Sequence, residues 1–293
     1  MIHLVAILAH NHPELLPSLI KRVKKAGATH VALFDGSGSG LVSRRAVQLI
    51  NLERGLKRRD IVPSMPWLIP PFWAKRVRWG NMLPFNHAAL KLAKEVDADF
   101  LSFWDSDLMP LRTDCFQQIR DTIEFERAKP DVRDAYVSPR VTTYTKQGTW
   151  KGKDLPARLF LRHCAKHTNF AWGEALSDLG WNGDWVSHAF HPGTTFGKFC
   201  INEFDLLLDR FSEEELSFNR VCLTPEEVIF STAAELMGVR VVDMASLRGV
   251  RWRPYHSYED ANKGFPKDWV AIHPVPRNEE FPLWSNSNLT DVT

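Results

Sequence analysis

Short apolar runs alternate with helix-period stretches along the first part of the chain, and that alternation predicts the architecture before any motif is considered. Leu4–Ala9 is an unbroken apolar run too short for a helix, Pro13 opens a helical pattern that lasts to Ala26, and Val31–Phe34 is a second short run. The second run ends at Asp35 and the flexible Gly36-Ser37-Gly38-Ser39-Gly40. Strand, helix and strand in that order predict an α/β fold, a mixed and mainly parallel sheet flanked by helices, whose ligands sit at the carboxyl ends of the strands. Ser43–Asp60 reads as a further helix, with a stripe of Ala46, Val47, Leu49, Ile50 and Leu56 and a basic face of Arg44, Arg45, Arg54, Lys57, Arg58 and Arg59. Asn86–Val96 reads as another, carrying Ala89, Leu90, Ala93 and Val96 at helical spacing, and Phe204–Phe211 as an apolar one.

The next apolar run, Phe100–Pro110, delivers two carboxylates, Asp105 and Asp107, at its C-terminal end. Residues two apart on a strand point the same way, so both side chains can grip one cation. Hard divalent ions are commonly held by one or two carboxylates plus substrate phosphates, which predicts a site for a metal-bound diphosphate. The competing reading is two solvated aspartates in a turn before Pro110. The glycine-rich segment after Asp35 lacks the Gly-Lys-Ser/Thr ending of a Walker loop and the spacing of a dinucleotide fingerprint.

These elements, with their order, resemble the nucleotide-diphospho-sugar glycosyltransferases of GT-A (Rossmann-like) fold, particularly the family-2-like ones. The resemblance is carried by Val5-Ala6-Ile7-Leu8-Ala9-His10-Asn11 with Pro13-Glu14-Leu15-Leu16, by Phe34-Asp35-Gly36-Ser37, by Gly80 to Asn86, by Trp104-Asp105-Ser106-Asp107, and by Thr224-Pro225-Glu226-Glu227-Val228 followed by Gly238-Val239-Arg240-Val241. It implies a catalytic domain over 1–243 and a C-terminal extension over 244–293 that folds back over the donor site. It also implies a metal-dependent transfer of a sugar from a nucleoside-diphosphate sugar, a UDP-sugar being favoured, to a hydroxyl acceptor. Asp105 and Asp107 would hold Mn²⁺ or Mg²⁺, with Asp105 and Asn11 also serving the donor, and Asp35 would contact the nucleoside. His273 would complete the cation site and Arg277 would meet the diphosphate. Glu227 matches the position of the family's general base, with Glu226 beside it as a second catalytic candidate, so an inverting outcome is expected.

Composition agrees with a folded enzyme. The 293 residues are 44% hydrophobic and 25% charged, enough to bury a substantial core and too apolar for a disordered chain. A formal net charge of +2 is too small to mark an obligate nucleic-acid binder. No run approaches the roughly 18–20 apolar residues that span a bilayer. Cys115, Cys164, Cys200 and Cys222 are scattered, which points to reduced thiols in a cytoplasm rather than to a zinc ribbon or a disulfide framework.

Other stretches widen the choice of acceptor. Between Pro63 and Trp79 the prolines alternate with Trp67, Phe72 and Trp73 beside Lys75, Arg76 and Arg78, a loop able to stack on a sugar or a base, or to pack as a lid. Trp181 and Trp185 could form a platform or an aromatic corner, and His163-x-Cys-x-x-His167 has a metal-like look without a second ligand pair. The acceptor is left open between a glycan, a small molecule, a protein and a hydroxymethylated DNA base. A nucleotidyltransferase, which would release pyrophosphate, and a catalytically silent sugar-nucleotide or carbohydrate-binding module are the alternatives.

Overall fold

A computed structural model describes residues 1–9, 15–35, 47–51, 55–59, 82–145, 171–212, 216, 225–251, 254–276, 280–285 and 289. The central sheet has eight strands: β1 (His3–Ala9), β2 (His30–Asp35), β3 (Val47–Asn51), β4 (Gly55–Arg59), β5 (Phe100–Asp105), β7 (Asp134–Ser138), β10 (Thr195–Gly197) and β11 (Val239–Asp243). Their order is β11-β7-β10-β5-β1-β2-β3-β4. All run one way except β10, which is antiparallel to both β5 and β7, and β3, which is antiparallel to β2 and β4. Two short pairs complete the strands: β6 (Met109–Pro110) with β12 (Ala271–Ile272), and β8 (Val141–Thr145) with β9 (Trp185–Ala189).

Every residue of β1 is buried, and the pleat divides them between two cores. Leu4, Ala6 and Leu8 face a cluster that includes helices α2 (Leu83–Glu95), α4 (Ala171–Asp178), α5 (Lys198–Leu208) and α6 (Pro225–Leu236). Val5 and Ile7 face the other, built with α1 (Leu16–Lys25), α3 (Cys115–Arg127) and the chain after Met244. That C-terminal stretch adds two short helices, α7 (Tyr258–Lys263) and α8 (Pro282–Ser285). The buried guanidinium of Arg22 on α1 ties it down, donating to the carbonyls of Pro110 (3.1 Å) and Leu283 (3.2 Å).

The structure corrects one element outright. The helix expected over Ser43–Asp60 is a hairpin of β3 and β4, added antiparallel to the edge of β2. Gly55 would cost a helix interior about 1 kcal/mol relative to alanine, and β2 offers β3 a free edge whose backbone groups need partners. β4 is the outermost strand. Elsewhere the boundaries shift: α2 begins at Leu83 with Pro84 in its first turn rather than at Asn86, and α5 ends at Leu208. Trp181 is part of the core, its indole donating to the Trp185 carbonyl (2.5 Å), so it forms the aromatic corner rather than an open platform. Cys115 and Cys200 are buried free thiols, and among the described residues no helix is long and apolar enough to cross a membrane.

Candidate active site

Asp105 is the last residue of β5, and β1 places Leu8 beside both Asp105 and Phe34 of β2. Asp35 therefore stands one residue beyond that row, at the same carboxyl edge of the sheet, about 10 Å from β5 by the spacing of two strands. The two aspartates do not share a strand face as the i, i+2 rule suggested. Asp107 lies in a turn, closed where Leu108 N–H donates to the Asp105 carbonyl (3.0 Å) and braced where the Trp104 indole donates to the Leu108 carbonyl (2.7 Å). The turn folds Asp107 back toward Asp105 and buries it, while Asp105 stays partly exposed.

His273 reaches these carboxylates because β12 pairs with β6, with Ile272 opposite Met109, and Val275 N–H donates to the Asp107 carbonyl (3.0 Å). A second segment clamps it from the other side: His273 N–H donates to the Gly249 carbonyl (3.0 Å), and Arg251 N–H donates to the His273 carbonyl (3.0 Å). Gly249 makes this approach feasible, since a Cβ there would fall 2.6 Å from the Ala271 carbonyl oxygen and 2.6 Å from the Trp269 ring. The imidazole Nδ1–H donates to the Arg251 carbonyl (2.8 Å). Nε2 then faces Asp107 Oδ1 at 3.3 Å and Asp105 Oδ2 at 3.5 Å. Burial alone would lower the pKa of His273, but the carboxylates of Asp107 and Asp105 outweigh it and raise it to about 10.

One ligand atom from each of Asp105, Asp107 and His273 lies within 4.8 Å of the others, a set that fits a divalent cation. Two carboxylate oxygens and one imidazole nitrogen suit a first-row ion such as Mn²⁺, and Mg²⁺ accepts the same carboxylates. The hydrogen bond from Nδ1 to a backbone carbonyl is the outer contact that fixes a metal-binding histidine in the correct tautomer.

The acidic pair sits in the first turn of α6, and both side chains are buried. Burial, and then the neighbouring Glu227, push the Glu226 carboxyl well above the usual range, with Asp105 adding a smaller push. These effects favour the protonated form of Glu226 over the charged one. Glu227 accepts from His188 Nε2–H (3.0 Å) and from the backbone N–H of His191 (3.1 Å). The His191 ring is fully enclosed beside Phe103 and accepts from the Asn86 amide (3.1 Å). Burial drops its pKa to about 4, against the opposing pull of Glu227 and Asp105, so it is neutral.

Asp105, Asp107 and His273 thus come together, with Glu226 and Glu227 within electrostatic range through Asp105 and His191. The backbone of Asp35 is at the same edge. Asn11, Arg277, Thr224, the loop between Pro63 and Trp79, and His163 to His167 lie outside the described residues. His188, Arg251 and Gly249 carry no signal in the sequence, whereas His191 opens the stretch His191-Pro192-Gly193-Thr194-Thr195-Phe196-Gly197, whose glycines resemble the family's small-residue segment near the donor sugar. Compared with protein-family models, with curated proteins and with solved structures, the chain matches none.

Proposed function

We propose that this chain is a metal-dependent glycosyltransferase of GT-A type that moves a sugar from a nucleoside-diphosphate sugar to a hydroxyl acceptor. The observation that carries the reading is the convergence of Asp105, Asp107 and His273 at the carboxyl edge of a mainly parallel sheet, where α/β folds bind their ligands. Asp105 and Asp107 would hold Mn²⁺ or Mg²⁺ with His273, and the bound ion would supply positive charge for the diphosphate as it leaves. The tail after Met244 positions His273 and covers the donor edge of the sheet. Asp35, at that edge, would accept hydrogen bonds from the nucleoside, and the buried acids of α6 would serve the acceptor side, consistent with inversion.

The test is calorimetry of Mn²⁺ binding followed by a panel of nucleotide sugars, UDP-sugars first, scored for metal-dependent release of nucleoside diphosphate. Binding of Mn²⁺ with release of nucleoside diphosphate is the expected result. Pyrophosphate formed from a nucleoside triphosphate would replace the reading with a nucleotidyltransferase, and binding of intact donor without turnover would replace it with a binding module.

A further inference from the structure

We infer that the general base for the acceptor hydroxyl is His188, oriented by the buried carboxylate of Glu227, rather than Glu227 itself. The inference rests on the transferase reading above and changes which side chain takes the proton. Glu227 is enclosed, and its two oxygens are already engaged by His188 Nε2–H and by the His191 N–H. A carboxylate so placed holds an imidazole better than it reaches a substrate. Because Nε2 donates to Glu227, the lone pair of a neutral His188 sits on Nδ1, the same division of labour by which a buried acid orients a catalytic histidine. The ring is partly exposed, and no described residue bonds its Nδ1.

The position of His188 suits the task. Phe190 N–H donates to the Arg140 carbonyl (2.9 Å), so the β8–β9 ladder continues past Ala189, two residues beyond His188. The Phe190 ring lies 6.2 Å from the His273 ring. Glu227, which holds His188, also holds the N–H of His191, whose ring feels both Glu227 and Asp105, so the pair and the cation cluster share one neighbourhood. From the elements packed against it, α6 presents the Glu227 carboxylate and β8 presents Tyr144, whose ring stands edge-on at 6.1 Å. In the step, the acceptor O–H bond breaks and its proton passes to Nδ1 of His188. The freed oxygen pair forms the bond to the sugar carbon as that carbon's bond to the diphosphate oxygen breaks, its electrons leaving on the diphosphate. Glu227 then faces an imidazolium, the charge it is placed to stabilise.

The experiment uses the full chain with Mn²⁺ and the nucleotide sugar it turns over fastest in the panel, comparing wild type with His188→Gln, His188→Ala and Glu227→Gln. Thermal melting of each variant reports whether it folds. Both His188 variants should lose about 10²–10⁴-fold in kcat, the worth of a positioned general base, with KM and Mn²⁺ affinity nearly unchanged. The acidic limb of the kcat–pH profile should vanish in His188→Gln. A folded His188→Ala with near wild-type kcat, or a His188→Gln that keeps the acidic limb, overturns the inference while Mn²⁺ binding keeps the transferase reading standing. Wild-type protein that binds no Mn²⁺, or turns over nothing in the panel, overturns that reading and this inference with it.

Discussion

His87, Asp205 and Asp209 form a second group with the same side-chain chemistry as Asp105, Asp107 and His273, and with ligand atoms within the same reach of one another. Their surroundings differ. His87 belongs to α2, and the face that carries it also carries Lys91 and Lys94, at the i, i+4 and i+7 positions of a helix. Lys91 meets Asp209 at 2.9 Å and Lys94 meets Asp205 at 2.5 Å, so ammonium groups already neutralise both carboxylates. His273 instead comes in on a strand flanked by Val270, Ala271, Ile272 and Pro274, and it brings no lysine with it. The two histidines respond in opposite directions. Carboxylates raise His273 to about 10 against the effect of burial, whereas burial and then Lys91 lower His87 despite Asp209 and Asp205. Three ligands of the right kind are therefore not enough; what else the same elements deliver decides whether the carboxylates are already neutralised by ammonium groups.

The largest expected effect separates the two groups directly. Asp107→Asn should abolish Mn²⁺ binding in calorimetry and cost turnover on the order of 10³-fold or more, because several kcal/mol of charge stabilisation goes with the ion. Asp205→Asn should leave Mn²⁺ affinity and turnover unaltered. Near-normal activity in Asp107→Asn would end the cation assignment, and loss of Mn²⁺ binding in Asp205→Asn would reverse the assignment of the two groups.

Asp205→Asn should instead show in the folding equilibrium, where losing the charged hydrogen bond to the partly exposed Lys94 should cost about 1–2 kcal/mol in a denaturant titration. An unchanged midpoint would mean that Lys94 contributes nothing there.

The opposite shifts of the two histidines predict opposite pH responses in chelator. His273 has a folded-state value of about 10 against an ordinary value of 6.5. Its contribution is thus fully present below about pH 6.5 and is lost as pH rises toward 10, where the folded state gives up the proton. His87 is lowered on folding, so the unfolded chain binds the extra proton and stability is lost as pH falls through the ordinary histidine range. Melting temperatures should show a shallower alkaline decline in His273→Asn and a shallower acidic decline in His87→Asn. A His273→Asn curve that tracks wild type up to pH 10 would contradict the first half.

The smallest effect is Lys91→Ala. Both members of the Lys91–Asp209 pair are about half exposed, so its removal should change stability by less than about 1 kcal/mol. A larger loss would show that these ion pairs act as one cooperative unit.

Local pattern carried much of this far. The apolar runs at Leu4–Ala9 and Val31–Phe34, the helix near Asn86 and the strand ending at Asp105 are legible because each repeats at the period of its own element. The β3–β4 hairpin was misread because Val47, Leu49, Ile50 and Leu56 satisfy a helical stripe nearly as well as a strand, and the deciding contact is with the distant edge of β2. The turn that folds Asp107 onto Asp105 was visible only as the competing reading before Pro110. His188 could not be found from its neighbours, since its partner Glu227 lies 39 positions away on a helix. Gly249 is similar: nothing around it in the sequence says that a carbonyl and an indole will close on the space a side chain would need.

The pairing of β6 with β12 also sets a schedule. Asp107 leaves the ribosome 166 positions before His273 (273 − 107), which at ~5–20 residues per second is roughly 8–33 s. Throughout that interval the sheet's carboxyl edge carries two aspartates without the imidazole, and the buried turn that holds Asp107 has no β12 to cover it. The nascent chain must therefore pass through a form in which Asp105 and Asp107 lack the imidazole that later joins them, and the three-residue cluster can assemble only once His273 has been made.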